Sequence, residues 1–156
     1  MLIINNYLQA TMSNKTRFSD NGDGTVTDTQ NGLMWIKTDT MNDLGKWVNY
    51  IDSQDYVRML NEKKFAGYGD WRLPCRDELS TFYDESLSNS DKFGKKIHIS
   101  ECFAPGGGLS MIAQLTSGRP RTWVLSLRDG QFTQPDGLWV FSESARAVRS
   151  VINAAK

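Results

Sequence analysis

Turn punctuation between residues 20 and 35, "DNGDGTVTDTQNGLMW", restricts this chain more than any other stretch. Asparagine and glycine accept the positive φ that tight hairpin turns demand. "NGDG" at 21–24 and "QNG" at 30–32 are therefore read as chain reversals. The β-branched "TVTD" between them reads as a strand, and Leu33, Met34, Trp35 and Ile36 read as the next, buried on at least one side. The expectation is a β-meander. A calcium loop is the competing reading. With Gly24 set on the invariant glycine of an EF-hand, Ser19, Asn21 and Asp23 take the first three ligand positions and the twelfth falls on Gln30. That neutral side chain removes the bidentate ligand, so no metal is expected here.

Beyond the meander, Leu44, Trp47, Val48 and Ile51 recur at helical spacing, and Tyr56, Met59 and Leu60 continue after a slip of one residue. The pattern predicts one helix from about Asp43 to Asn61, ended by the glycines and proline of "FAGYGDWRLP". "PCRDELSTFYD" predicts a second, shorter helix, with Glu78 at the capping-box position after Cys75. Residues 85–100 are polar and read as a long surface loop, made basic by "KFGKKIH". "APGGG" reads as a flexible connection, since it matches neither a phosphate loop nor the dinucleotide glycine pattern. In the last third, "WVLSL" places Trp123, Leu125 and Leu127 on one face, "RDG" turns the chain, and "LWVF" and "ARAVRSVI" follow as strands.

A chain of 156 residues suits one domain, read here as residues 17–152 between tails at 1–16 and 153–156. Its 18 basic and 18 acidic residues balance, which removes any general pull toward nucleic acid or an anionic membrane. No run approaches the roughly 20 apolar residues of a membrane span, and none makes a signal peptide, so a cytoplasmic location is expected of the chain as written. Cys75 and Cys102 allow at most one bridge.

Four segments carry a family resemblance: "RFSDNGDGTVTDTQNGLMW", "GYGDWRLPCRDEL", "WVLSLRDG" and "AVRSV". Together they resemble the Lcl C-terminal domain family, named from a collagen-like bacterial adhesin, over about Arg17 to Val151. The resemblance implies an α+β, C-type-lectin-like fold in which two helices flank small twisted antiparallel sheets and the chain ends lie close together. It also implies no recognised catalytic residues, frequent export, and, for the adhesin's domain, binding of sulfated glycosaminoglycans. Trp35, Asp70, Trp71, Arg72, Leu73, Pro74 and Leu79 are the signature positions and read as framework. Relatives often carry a cysteine pair where Val57 and Ser150 stand here, and an aromatic "YWSS" where "AQLTS" stands. Loss of both cysteines suits a version without that bridge.

Three function classes follow. "QPD" at 134–136 matches the tripeptide of galactose-type calcium lectins, but no later asparagine and aspartate pair completes the coordination, so a proline turn is expected. His98 is the chain's one histidine and is expected to face solvent on the loop. A Cys75/His98 nucleophilic pair is the enzyme reading on offer, and it lacks a third orienting group. The expectation is therefore a binding module without catalysis or cofactor. Two readings of it stay open. One is a site for sulfated or acidic glycans using Lys92, Lys95, Lys96, Arg119, Arg121 and Arg128. The other is a protein-interaction or self-associating domain anchored by exposed aromatics such as Trp139.

Overall fold

The computed structural model describes residues 17–115, 122–135 and 139–151. Those residues form an α+β domain with three small antiparallel sheets. The first sheet has the order β1-β2-β3-β9, built from Phe18–Asp20, Thr25–Asp28, Leu33–Ile36 and Val148–Ser150. The expected meander is its first three strands, in the register Asp20 to Val26 and Val26 to Trp35. Trp35 also pairs with Val148, so the start and end of the domain lie side by side.

Each turn of the opening stretch is closed by its own aspartates. Asp20 accepts from the Gly22 amide at 2.9 Å and from Lys37 Nζ at 2.7 Å. Asp23 accepts from the Thr25 amide at 3.1 Å. Asp28, buried, takes a bidentate pair from Arg17 at 2.9 and 2.7 Å and a bond from Asn31 Nδ2. Gly24 does more than turn: its φ is +90°, and a Cβ there would sit 2.8 Å from the Phe65 ring. The motif thus makes room for an aromatic ring from 41 residues away.

The single helix expected from Asp43 to Asn61 is two. Helix α1 spans Thr40–Leu44 and stops at Gly45, whose φ of 70° ends it in the left-handed conformation. Helix α2 runs Tyr50–Glu62, with the Asn49 side chain accepting from the Asp52 amide at 2.8 Å. Between them Val48 exchanges both backbone bonds with Glu143. The apparent helical spacing of Leu44 and Ile51 was coincidence, since both side chains stand exposed while Tyr50, Ser53, Tyr56, Val57 and Leu60 face inward. Helix α3, Arg76–Phe82, forms where expected.

The polar segment 85–100 is less of a surface loop than its composition suggests. Asn89–Ser90 (β4) and Lys96–Ile97 (β5) pair as a small hairpin, and Ile97 and Ile99 are buried in the core. Nor is "APGGG" a flexible connection. Gly107 and Gly108 are buried, and a Cβ on either would collide with the Asp39 carboxylate or the Ser144 hydroxyl. The third sheet, β6-β7-β8, comprises Ser110–Leu115, Thr122–Ser126 and Phe132–Thr133. Trp123, Leu125 and Leu127 do share a face, and all pack against the cluster around Trp35, Leu79, Phe82 and Phe103, whereas Val124 faces a second cluster around Val57, Leu60 and Trp71. Of "LWVF", residues 139–141 form no strand and stand exposed.

The signature "GDWRLP" joins these parts. Trp71 is buried, its amide donates to Asn61 Oδ1 at 2.7 Å, and its indole donates to Phe65 O at 3.1 Å. Arg72 exchanges backbone bonds with Val148 and grips Glu78 of α3 with two bonds of 2.7 and 2.8 Å. Pro74 O accepts from the Gln114 amide of β6, and Asp70 holds Arg149 of β9 at 2.7 Å. Six consecutive residues, 69–74, thereby tie α2, α3, β6 and β9 together. One buried cation, Arg146, donates to the Ile36 and Lys37 carbonyls and lies 4.7 Å from the Phe103 ring, while its Nε has no partner among the described residues.

Candidate functional site

The β4–β5 turn brings three exposed lysines beside two aromatic rings. Asp91, with a fully buried side chain, organises it. One carboxylate oxygen accepts from the amides of Phe93 and Lys95 at 2.8 and 3.1 Å, and the other accepts from Arg128 Nε and Nη2 at 3.0 and 2.8 Å. Burial alone would raise the Asp91 carboxyl; Arg128 and the two amides outweigh it and hold it below the usual carboxylate range. Gly94 supplies the positive φ of 73° at the tip, and the Lys92 amide donates to Gly107 O at 2.7 Å. The turn is therefore fixed at both its carboxylate and its backbone.

On this fixed turn Lys92, Lys95 and Lys96 are all exposed. The Lys92 ammonium lies 5.3 Å from the Trp47 ring centroid and 5.4 Å from that of Phe93, and the two rings are 6.4 Å apart. Phe93 is 60% exposed. A lysine resting between two rings gives up little further rotamer freedom when it meets an anion. Trp47 and Phe93 were not among the expected site residues. Trp47 was assigned to a helix face; Gly45 two residues earlier was the local signal that the helix had already stopped.

The other expected residues are distributed differently. Arg128, whose side chain is 36% exposed, is engaged with Asp91 and so helps to fix the turn. Arg119 and Arg121 lie outside the described residues. Trp139 is 73% exposed, and Val140 and Phe141 beside it are 58% and 60% exposed. Of "QPD", Asp136 lies outside the described residues. Cys75 immediately precedes α3, whereas His98 stacks edge-on against Tyr83 just past its other end, with ring centroids 5.5 Å apart. At about 1.5 Å per helical residue those ends are about 12 Å apart, so the two side chains are not brought together. His98 is half-buried rather than solvent-facing, with Nδ1 on Leu87 O at 3.1 Å.

A groove of about 680 Å³ opens between α2 and the end of β6, floored by Val57, Trp71, Leu73 and Leu115. Its two arginines are already paired, Arg58 with Asp55 and Arg72 with Glu78, which leaves a mixed and nearly neutral lining. Among the described residues no group of three or more His, Cys, Asp or Glu could hold a metal ion. No described helix is long and apolar enough to cross a membrane.

In a comparison with known families, the model described as the Lcl C-terminal domain matches residues 24–151. No curated protein and no solved structure matches the chain.

Proposed function

The chain belongs to the Lcl C-terminal domain family, and from that premise we propose that it is a non-catalytic recognition module for anionic glycans. Its fold we read as C-type-lectin-like: the pairing of β3 with β9 beside the domain's start supports this, as do α2 and α3 set around small antiparallel sheets. One observation carries the functional reading. The turn fixed by Asp91 holds Lys92 over the Trp47 and Phe93 rings and presents Lys95 and Lys96 beside it. Sulfate or carboxylate groups would take the ammonium charges, and the C–H face of a sugar ring would lie against the exposed Phe93. An adhesive role fits such a surface.

A salt titration of heparin binding tests this. Affinity should fall steadily as ionic strength rises, because charges at an exposed surface are screened over about 10 Å at 0.1 M salt. Absence of binding at low salt would sink the proposal. Replacing Lys92, Lys95 and Lys96 together by alanine should remove most of the affinity, and unchanged affinity would move the site elsewhere.

A second reading rests on Trp139, Val140 and Phe141, three consecutive large apolar side chains exposed together. Such a strip can anchor a protein partner or a second copy. A molecular mass that stays monomeric across concentration would count against self-association, and salt should barely alter an interface of this kind.

A further inference from the structure

Among the described arginines, Arg17, Arg58, Arg72, Arg128 and Arg149 each pair with a carboxylate, and Arg146 is buried against backbone carbonyls. Arg76 follows neither pattern. It is exposed at the first residue of α3 and makes no ion pair with any described carboxylate, including its neighbour Asp77. Its guanidinium carbon instead lies 4.4 Å from the centroid of Trp123 and 4.9 Å from that of Phe132, two half-buried rings set edge to face 6.2 Å apart. The rings locate the cation but accept none of its five N–H donors in a conventional hydrogen bond. A guanidinium held in place with its donors unspent among the described residues is arranged to receive an oxyanion at two points, and a planar carboxylate matches that fork.

We propose that Arg76, with Trp123 and Phe132, is a second recognition site on this domain, one that takes the carboxylate of a uronic-acid residue in an acidic glycan. This rests on the anionic-glycan reading above and divides its labour. The flexible ammonium of Lys92 is a point charge that accepts any anion, whereas the fork at Arg76 selects geometry. The sugar ring bearing the carboxylate would lie along Phe132, which flanks the guanidinium.

The test uses two polymers, oligogalacturonate, which carries only carboxylates, and dextran sulfate, which carries only sulfates, against the whole chain and two variants, Arg76→Ala and Arg76→Lys. Both variants should weaken oligogalacturonate binding about tenfold, since lysine keeps the charge but loses the fork. Dextran sulfate binding should stay within about twofold. The unfolding midpoint should move only slightly, because Arg76 is exposed and loses only its ring contacts; a purely structural arginine would shift that midpoint without discriminating between polymers. Equal weakening of both polymers overturns the carboxylate assignment, as does full retention of oligogalacturonate affinity in Arg76→Lys. Equally tight binding of polyglutamate, lost in the same variants, overturns the glycan in favour of an acidic peptide. If the wild-type chain binds heparin but not oligogalacturonate, this site falls and the site at Lys92 stands. Failure of all anionic polymers would remove both.

Discussion

Arginines and lysines meet two different fates in this domain. Around "GDWRLP" the cations are spent inside the protein: Arg72 grips Glu78, Arg149 grips Asp70 and lies 3.7 Å from the Tyr68 ring. Lys92 of the β4–β5 turn and Arg76 at the start of α3 instead rest on rings and pair with no described carboxylate, Lys92 on Trp47 and Phe93, Arg76 on Trp123 and Phe132. A carboxylate partner neutralises a cation and turns it into framework. An aromatic partner orients it and leaves its hydrogen-bond donors available. In a chain whose net charge is zero, anion binding therefore depends on the cations that rest on rings.

Substitutions in the first region should therefore change stability, and those in the second should change binding. The largest effect belongs to Trp71→Ala, which empties a buried indole from the junction of α2 and β9. About 3–5 kcal/mol of unfolding free energy should be lost in urea denaturation. A loss below about 1 kcal/mol would mean that the signature is not the joint it is taken for.

Asp91→Asn lies between the two regions, since a buried, paired carboxylate supports exposed lysines. It should cost about 1–2 kcal/mol, moderated because Arg128 reaches solvent, and it should also weaken heparin binding by loosening the turn. Unaltered heparin affinity with lowered stability would show that the lysines need no fixed turn.

Acid should expose the same division. Asp28, Glu78 and Asp91 all have carboxyls held below their ordinary range, each because a guanidinium and neighbouring donors overcome the upward push of burial. Folded-state values below the unfolded ones mean that their stabilisation is complete above the unfolded carboxylate range, about pH 4. It is lost as pH falls through the folded values. The unfolding midpoint should stay level from neutral pH to about 5 and drop below about 4, with a shallower drop in Asp91→Asn. A midpoint that rises with acid would reverse the sign and break the account.

The smallest stability effect belongs to Lys92→Ala, within about 0.5 kcal/mol of the parent, while heparin affinity falls severalfold. A stability loss as large as that of Asp91→Asn would place Lys92 with the framework after all.

Legibility in the sequence followed the range of the interactions. The opening meander could be read because its turns close on residues two to four positions away, as Asp20 does on Gly22 and Asp23 on Thr25. Helix α3 could be read for the same reason, with the Glu78 carboxylate accepting from the Cys75 amide. The break between α1 and α2 was harder, because the chain leaves the helix to bridge Val48 with Glu143, 95 residues away. The lysine turn was found by its charge, but not its aromatic floor, since Trp47 and Phe93 meet across 46 residues. Arg76 gave no signal at all: as a sequence it is one more polar residue at the start of a helix.

The family, the meander, the short helix α3 and the balance of charge could all be read before folding, because turn chemistry, periodicity and composition act locally or sum over the chain. Which cations are neutralised and which rest on rings was set by long-range packing. Arg128 is held by Asp91, 37 residues away, while Arg76 rests on Trp123 and Phe132 and pairs with no described carboxylate. Charge is written residue by residue, but its availability to a ligand depends on the partner that folding supplies, and that partner comes from distant parts of the chain.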